Sequence, residues 1–311
     1  MPTKSTAILC TASNMYTFAL FTSLKTFLAH SPKLAEQADI YVYNYKWPEH
    51  IKKIFTTHFP ITLIDFDLPD FVSPSKMIDK FTPALFARFE AFSLLEKYQN
   101  VICLDSDILV QKELIGVLDE VKTNIGLTPD SCPNVGYNFW GTIPGYDLSA
   151  PCLNAGFIVL KNPLPAAQIR NWLYQMLAKY ADICYLGDQG LINLILQEFK
   201  LTPTVLSPRY NQPASSPTRE LKQAYIIHST GHRKFWYYYY FDEWYKSYAQ
   251  WYALSGQAVT VRTPPNRKPW TWLLAKTGWN KHVFFQLAPD ATRYPVKFLL
   301  FAIKHLFHVQ Y

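Results

Sequence analysis

Up to about residue 250, the sequence alternates short apolar runs with longer stretches whose apolar residues recur at helical spacing. This alternation favours an α/β fold built on a mostly parallel sheet, because parallel strands need long, usually helical, crossovers between them. In such a sheet, ligands bind beyond the carboxyl ends of the strands. We predict strands at residues 7–10, 40–43, 61–64, 101–104, 125–127, 156–160 and 225–228, and helices at 16–28, 48–58, 83–97, 166–180 and 187–199.

The composition changes near residue 255. The chain has 311 residues and a formal net charge of +7, yet residues 257–311 contain eight Lys or Arg and a single acid, Asp290. The charges of the preceding residues therefore balance, and the basicity belongs to the C-terminal region. We predict a domain at 1–255, long enough for a sizeable core, and a separate basic and aromatic region at 256–311.

The C-terminal region contains a candidate helix after Pro295, with Val296, Leu299 and Ile303 on one face and Lys297 on another. It is too short to span a bilayer but suits a helix lying on an anionic membrane surface. The alternative is an ordinary helix docked on the domain. Basic and aromatic residues also suit single-stranded nucleic acid, but no nucleic-acid motif accompanies them, so we expect no nucleic-acid partner.

The cysteines and the N-terminal sequence bear on the compartment. The five cysteines are odd in number and lack the spacing of a metal site, and two of them fall in predicted strands. We expect reduced thiols, and no signal peptide is recognisable at the start of the chain. A cytoplasmic location follows as an expectation.

Asp105-Ser106-Asp107 follows the apolar run 101–104, which reads as a buried strand. Two carboxylates at i and i+2 project to the same side of an extended backbone, so both can reach one hard cation. A divalent ion bridging substrate phosphates would offset the cost of placing them at a strand end. The alternative is a helix cap or a solvated turn.

Four other segments place polar groups where a core would exclude them. His228, Gly231 and Lys234 follow the last predicted strand, where imidazole can complete an oxygen-rich metal site and Gly and Lys can contact a phosphate. Each of the other three segments could bind a ligand, but each could equally be a structural helix cap or turn. They are the loop with Asn14 and Tyr16, the segment Asn154-Ala155-Gly156, and the helix start Gly187-Asp188-Gln189-Gly190.

These motifs, taken in order, resemble glycosyltransferase family 8, in particular its bacterial lipooligosaccharide galactosyltransferases. The resemblance covers residues 7–250, and the basic aromatic tail also has a counterpart there. Three motifs depart from the family pattern. Phe235 stands where the family usually has Pro, Gly190 stands where it has a second Asp, and the N-terminal loop with Asn14 and Tyr16 lacks the family's acidic residue. The matching segments are Phe86-Ala87-Arg88-Phe89, Asp105-Ser106-Asp107, Leu153-Asn154-Ala155-Gly156, Asp188-Gln189-Gly190-Leu191-Ile192-Asn193 and His228 to Trp236.

The resemblance implies a GT-A-like, Rossmann-type nucleotide-sugar-binding domain with a mixed sheet. It implies Mn²⁺, with Mg²⁺ as a substitute, held by Asp105, Asp107 and His228. It also implies a UDP-sugar donor and a glycan or glycolipid acceptor of the bacterial surface, such as lipooligosaccharide or lipopolysaccharide. The protein would then act at the inner face of the bacterial inner membrane. The implied donor-binding residues are Asn14, Tyr16, Arg88, Asp105, Ser106, Asp130, Asn154, Ala155, Gly231 and Lys234.

The family retains the anomeric configuration of the sugar. The resemblance implies that Asp188 and Gln189 are the catalytic residues, with Gln189 beside an oxocarbenium-like centre and the metal and Lys234 stabilising the leaving diphosphate. Two alternatives remain at this point. One is a metal-dependent phosphohydrolase with Asp105 as nucleophile, and the other is a catalytically inactive protein that binds glycans or membranes.

Overall fold

The computed structural model describes residues 4–231, 234–236 and 241–257. The basic region, with its expected helix after Pro295, lies outside the described residues apart from its first two positions. The boundary predicted near residue 255 therefore stays a prediction. The strands are β1 (Thr6–Ser13), β2 (Ala38–Tyr45), β3 (Ile61–Asp65), β4 (Asn100–Leu104), β5 (Ile108–Val110), β6 (Ile125–Pro129), β7 (Leu153–Lys161), β8 (Thr204–Val205), β9 (Gln212–Pro213) and β10 (Ile226–His228).

Helices connect most of these strands, and several short turns are 3₁₀ in geometry. The α-helices are α1 (Thr17–His30), α2 (Pro32–Gln37), α3 (Glu49–His58), α4 (Lys76–Phe81), α5 (Ala91–Leu95), α6 (Val117–Glu120), α7 (Ala166–Tyr180), α8 (Gln189–Glu198), α9 (Thr218–Gln223) and α10 (Asp242–Ser255). The 3₁₀ helices are Asn14–Tyr16, Pro83–Glu90, Val135–Asn138, Ala181–Ile183 and Pro208–Asn211.

The main sheet has seven strands in the order β3-β2-β1-β4-β7-β6-β8. Strands β1 to β4 are parallel, as the alternation predicts, whereas β7 runs antiparallel to both β4 and β6. The sheet is therefore mixed. Successive side chains of β1 enter opposite cores, with Ile8 and Cys10 on one face and Ala7 and Leu9 on the other, because strand side chains alternate between faces.

The segment predicted as one helix over 83–97 is divided. Residues Pro83–Glu90 form a 3₁₀ helix, and only Ala91–Leu95 are α-helical. The 3₁₀ part is buried over most of its length and includes Phe86, Arg88 and Phe89. Tertiary packing around a segment buried on all sides decides its geometry, which apolar spacing alone does not specify.

A second, three-stranded sheet in the order β5-β10-β9 positions the acidic triplet. Asp105, Ser106 and Asp107 link β4 of the main sheet to β5 of the small one. Strand β10 is antiparallel to β5 with His228 opposite Ile108. His228 is therefore brought beside Asp107 by backbone pairing.

Candidate functional site

Two carboxylates and an imidazole meet where the two sheets join. His228 Nε2 lies 3.3 Å from Asp105 Oδ2 and 3.3 Å from Asp107 Oδ1. One ligand atom from each of the three residues lies within 4.8 Å of the others. Asp107 and His228 are buried and Asp105 is half-buried, so the cluster has one open side.

The orientation of His228 is set by Asn211. Nδ1 of His228 lies 2.7 Å from Asn211 Oδ1, and the Asn211 amide donates to Asn154 Oδ1 at 2.6 Å. Because Asn211 Oδ1 can only accept, Nδ1 carries the proton, and in the neutral ring Nε2 then presents its lone pair to the aspartates. Sequence reasoning missed Asn211, which lies between the predicted helix 187–199 and the predicted strand 225–228.

Close approach of β7 to His228 requires a glycine. A Cβ on Gly156 would lie 2.5 Å from His228 Cε1 and 2.6 Å from Nδ1. Any side chain here would therefore push the imidazole out of line with Asp105 and Asp107.

Two basic side chains neutralise the aspartates. Arg88, only 4% exposed, donates to Asp105 and to Asp188 Oδ2, the latter at 2.6 Å. Lys234 Nζ donates to Asp107 Oδ2 at 2.5 Å and to the Ser229 carbonyl at 3.0 Å. The site therefore combines an anionic centre with two cations at its edge, which is the charge pattern that a metal–diphosphate complex requires.

Burial and pairing shift the pKa values of these groups. Burial would raise the pKa of Asp107, but Lys234 and His228 outweigh it and hold that pKa well below its usual range. Burial would lower the pKa of Lys234, yet Asp107 raises it. Burial raises the pKa of Asp188 to about 6 against the opposing effect of Arg88, a guanidinium that also binds Asp105.

The three central ligands fit a divalent cation. Carboxylate oxygens suit Mg²⁺ and Mn²⁺, and an added imidazole nitrogen shifts the preference towards borderline ions such as Mn²⁺. Asn211 binds Nδ1 of His228, so Nε2, the ring nitrogen that faces the carboxylates, is free to coordinate a cation. The residues present therefore suit the Mn²⁺ or Mg²⁺ that the resemblance implies.

A second polar network lies beside this centre. Asn154 donates to Asp130 and accepts from the Gly156 N–H at 2.7 Å. Gln189 accepts from the Ala155 N–H at 3.3 Å and donates to Asn138 Oδ1 at 3.0 Å. Because an amide oxygen has two lone pairs, Gln189 keeps one for a substrate.

The N-terminal loop contributes unpaired polar atoms. Ser13 Oγ and Asn14 Oδ1 are buried with no hydrogen-bond partner among the described residues. Tyr16 is half-buried, with its ring edge-on to Trp236 at 6.0 Å between centroids. Buried polar atoms are normally satisfied, so this loop has capacity to bind a polar ligand.

Two further predicted donor-binding residues are Ser106 and Gly231. Ser106 is half-buried between the two aspartates. Gly231 is exposed and has a left-handed φ of 64°, which glycine adopts without strain. His232 and Arg233, which stand between Gly231 and Lys234, lie outside the described residues.

No helix within the described ranges combines the length and the continuous apolar character needed to cross a membrane.

Known families and structures match this architecture. The model for glycosyl transferase family 8 matches residues 7–239. No curated protein sequence matches the chain significantly.

The solved structures that are similar to the chain include three glycosyltransferases. WbbM, a bifunctional glycosyltransferase in its apo form, has a TM-score of 0.61 and 16% identity over 89% of this chain and 52% of its own. The chain thus spans about half the length of WbbM. The galactosyltransferase LgtC, in complex with donor and acceptor sugar analogues, has a TM-score of 0.54 and 17% identity over 86% of this chain and 99% of its own.

Mouse xyloside xylosyltransferase 1, also in apo form, has a TM-score of 0.50 and 15% identity over 74% of this chain and 99% of its own. At these identities the likeness establishes the fold alone. That fold is the GT-A-like mixed α/β fold implied by the sequence motifs.

Proposed function

Because the chain belongs to glycosyl transferase family 8, we propose that it transfers a hexose, galactose or glucose, from a UDP-sugar with retention of configuration. The observation that carries this proposal is the meeting of Asp105, Asp107 and His228 between Arg88 and Lys234. Membership of the family accounts for a glycosyl transfer reaction, and this charge pattern supports a nucleoside-diphosphate donor.

Asp105, Asp107 and His228 would hold Mn²⁺, which when bound neutralises charge that develops on the leaving diphosphate. Lys234 has the same electrostatic role from the opposite side of Asp107. Its contact with Asp107 at 2.5 Å holds the ammonium group beside the carboxylate, where it would also reach an oxygen of the diphosphate. Arg88 is fixed by Asp188 and holds Asp105 in place.

The sugar would lie against Asn154, Asp130 and Gln189. Asn154 and Asp130 offer hydrogen bonds to hydroxyl groups, and Gln189 Oε1 offers partial negative charge to an oxocarbenium-like centre. Asp188 is paired with Arg88 at 2.6 Å, so its proposed role is to position Arg88. Retention then follows from attack on the face that the diphosphate leaves, with the diphosphate accepting the acceptor's proton.

The base of the donor would occupy the N-terminal loop. The base would stack on the half-buried ring of Tyr16. It would also form hydrogen bonds with Ser13 Oγ and Asn14 Oδ1, which have no partner among the described residues.

We assign the acceptor to the bacterial surface glycans, a lipooligosaccharide or lipopolysaccharide under assembly at the cytoplasmic face of the inner membrane. The support is the likeness of motifs described above and the basic, aromatic composition of residues 256–311. That region would bind the anionic membrane surface peripherally.

Slow donor hydrolysis tests the reaction. The purified chain is incubated with Mn²⁺ and a panel of UDP-sugars, and release of UDP and free sugar is measured. One UDP-hexose should be hydrolysed, and Asp107→Asn should reduce the rate by roughly 100-fold or more, the scale of losing one preorganised electrostatic contact.

Asp119→Asn is the matched control, because Asp119 is an exposed aspartate of α6. The proposal fails if no UDP-sugar is turned over, if Asp107→Asn has no effect, or if inorganic phosphate rather than UDP is released.

A further inference from the structure

A second group of potential metal ligands lies outside the acidic triplet. One ligand atom from each of Asp130, Cys132 and Cys152 lies within 4.8 Å of the others. Asp130 and Cys132 are half-buried and Cys152 is buried. The cluster therefore has two sulfurs and a carboxylate with one accessible side.

Backbone pairing builds this cluster. Strands β6 and β7 pair through Pro129 and Leu153, and the Asp130 N–H continues the pairing by donating to the Cys152 carbonyl at 3.2 Å. The turn after Asp130 is held by the Cys132 N–H, which donates to Asp130 Oδ1 at 2.6 Å. The three side chains are thus fixed by sheet register and a tight turn.

The Cys152 sulfur also has polar partners. It accepts from Asn138 Nδ2 at 3.2 Å and lies 3.7 Å from Gln189 Nε2. Neither cysteine forms a disulfide, and both are free thiols. Burial raises the pKa of the Cys152 thiol, and the two amide donors act in the opposite direction, as such donors do around metal-bound thiolates.

We propose that Asp130, Cys132 and Cys152 form a site for a thiophilic divalent cation, Zn²⁺ in the first instance. Two thiolates and a carboxylate are ligands that zinc accepts, and a fourth tetrahedral position stays open for water. The site differs in kind from the oxygen-rich Asp105, Asp107 and His228 centre, which suits Mn²⁺. On binding, two metal–sulfur bonds form and each thiol releases its proton to the solvent.

A cation bound to Asp130, Cys132 and Cys152 would affect binding of the donor sugar. Asp130 also accepts a hydrogen bond from Asn154, so a cation on Asp130 competes for the carboxylate that would contact the donor sugar. This consequence rests on the proposed function, while the metal site itself does not.

Cadmium absorption provides the test, because the charge-transfer band of Cd²⁺ bound to thiolate reports sulfur ligation alone. The reduced full-length chain, with excess Mn²⁺ present to fill the oxygen-rich centre, is titrated with Cd²⁺ and then with Zn²⁺ in competition. We expect a band that saturates at one Cd²⁺ per chain and is displaced by Zn²⁺. Cys132→Ser and Cys152→Ser should each weaken binding by roughly 10- to 100-fold or more, since the loss of even an outer-shell partner has that effect.

Cys10→Ala is the matched control, since Cys10 is a buried thiol of β1 outside the cluster. It should keep the full band, and circular dichroism of each variant verifies the fold. Absence of a band at stoichiometric Cd²⁺, or a band that persists in both serine variants, would overturn the proposal. Because no sugar substrate is used, this result is independent of whether the transfer reaction occurs.

Discussion

Arg88 is the residue on which the charge balance of the site depends. Its guanidinium is buried and shared between Asp105 and Asp188. Removing one partner from a buried ion pair leaves an uncompensated charge and costs about 3–5 kcal/mol. Arg88 therefore links the acidic triplet after β4 to the start of α8 and fixes both.

Asp188 makes the stability of the protein depend on pH. Its pKa rises from 3.8 to about 6 in the folded protein, so between these values the native state keeps a proton that the unfolded chain has lost. Stability must then fall as pH rises through this window, by at most about 3 kcal/mol, and stay level above it. Urea unfolding of wild type and Asp188→Asn at stepped pH measures this as the difference between the two curves.

Asp119→Asn is the control, because it removes the same charge from an exposed position of α6. A difference curve that is level between pH 4 and pH 6, with wild-type stability rising relative to Asp188→Asn only below about pH 4, would show that Arg88 lowers the Asp188 pKa instead.

Asn211 should control metal affinity without touching the metal. Asn211→Ala removes the acceptor that fixes His228 Nδ1, and loss of such an outer-shell partner weakens metal binding by roughly 10- to 100-fold. Titration with Mn²⁺ followed by electron paramagnetic resonance measures the free ion directly. Asn171→Ala, on the exposed face of α7, should bind Mn²⁺ like the wild type, and equal affinity in both variants would contradict the role of Asn211.

Among single residues, the sequence predicts the candidate metal ligands better than the residues that orient them. Asp105, Asp107 and His228 are recognisable in the sequence because a carboxylate or imidazole at the end of a buried strand is costly unless it has a partner. Asn211 does not stand out, because polar residues are ordinary in a segment rich in Pro and Ser. Its importance arises only from burial and from two hydrogen bonds to residues distant in sequence.

At the scale of elements, helix α8 begins close against the 3₁₀ turn Val135–Asn138 and the residue after it. A Cβ on Gly190 would lie 2.4 Å from Phe139 Cζ and 2.9 Å from Asn138 Cβ. The ring of Phe139 therefore fills the space that a side chain at position 190 would need. Gly190, which departs from the family pattern, therefore fits against the ring of Phe139.

Gly190→Ala should accordingly destabilise the protein by about 1–3 kcal/mol through overpacking. Phe139→Leu creates room, so the double variant should recover part of this loss. A thermodynamic cycle of urea unfolding measures the coupling, and strictly additive losses would contradict direct contact between the two positions.

Strand and helix prediction succeeds where elements are long. Residues 166–180, predicted as a helix, form α7 with those bounds. Strands β5, β8 and β9 have two or three residues, too few for a periodic pattern, and their pairing is decided by partners elsewhere in the chain. The small sheet that holds His228 beside the two aspartates is therefore not predicted.

At the scale of the whole molecule, α10 closes one core. Trp244 and Trp251 are almost fully buried, and Trp251 contacts Phe21 of α1 and Phe55 of α3. The described chain thus ends with a helix integral to the domain, and the basic excess lies beyond it in the sequence.

Truncation after Gly256 should separate catalysis from membrane binding. The shortened chain retains α10 and should hydrolyse the donor like the full chain, but it should lose binding to anionic liposomes because the eight basic residues are gone. Liposome sedimentation with anionic and with neutral lipid measures this. Unchanged sedimentation of the truncated chain with anionic liposomes would contradict membrane association through this region.

If Asp105, Asp107 and His228 bind a cation as proposed, the pairing of β5 with β10 also determines when that site forms during synthesis. His228 is held opposite Ile108 by antiparallel pairing, yet it leaves the ribosome long after the two aspartates. A nascent chain therefore displays Asp105 and Asp107 for many seconds without their imidazole partner, at typical elongation rates of about 5–20 residues per second. A cation bound at the proposed site would then favour completion of the small sheet and would act as a late folding ligand.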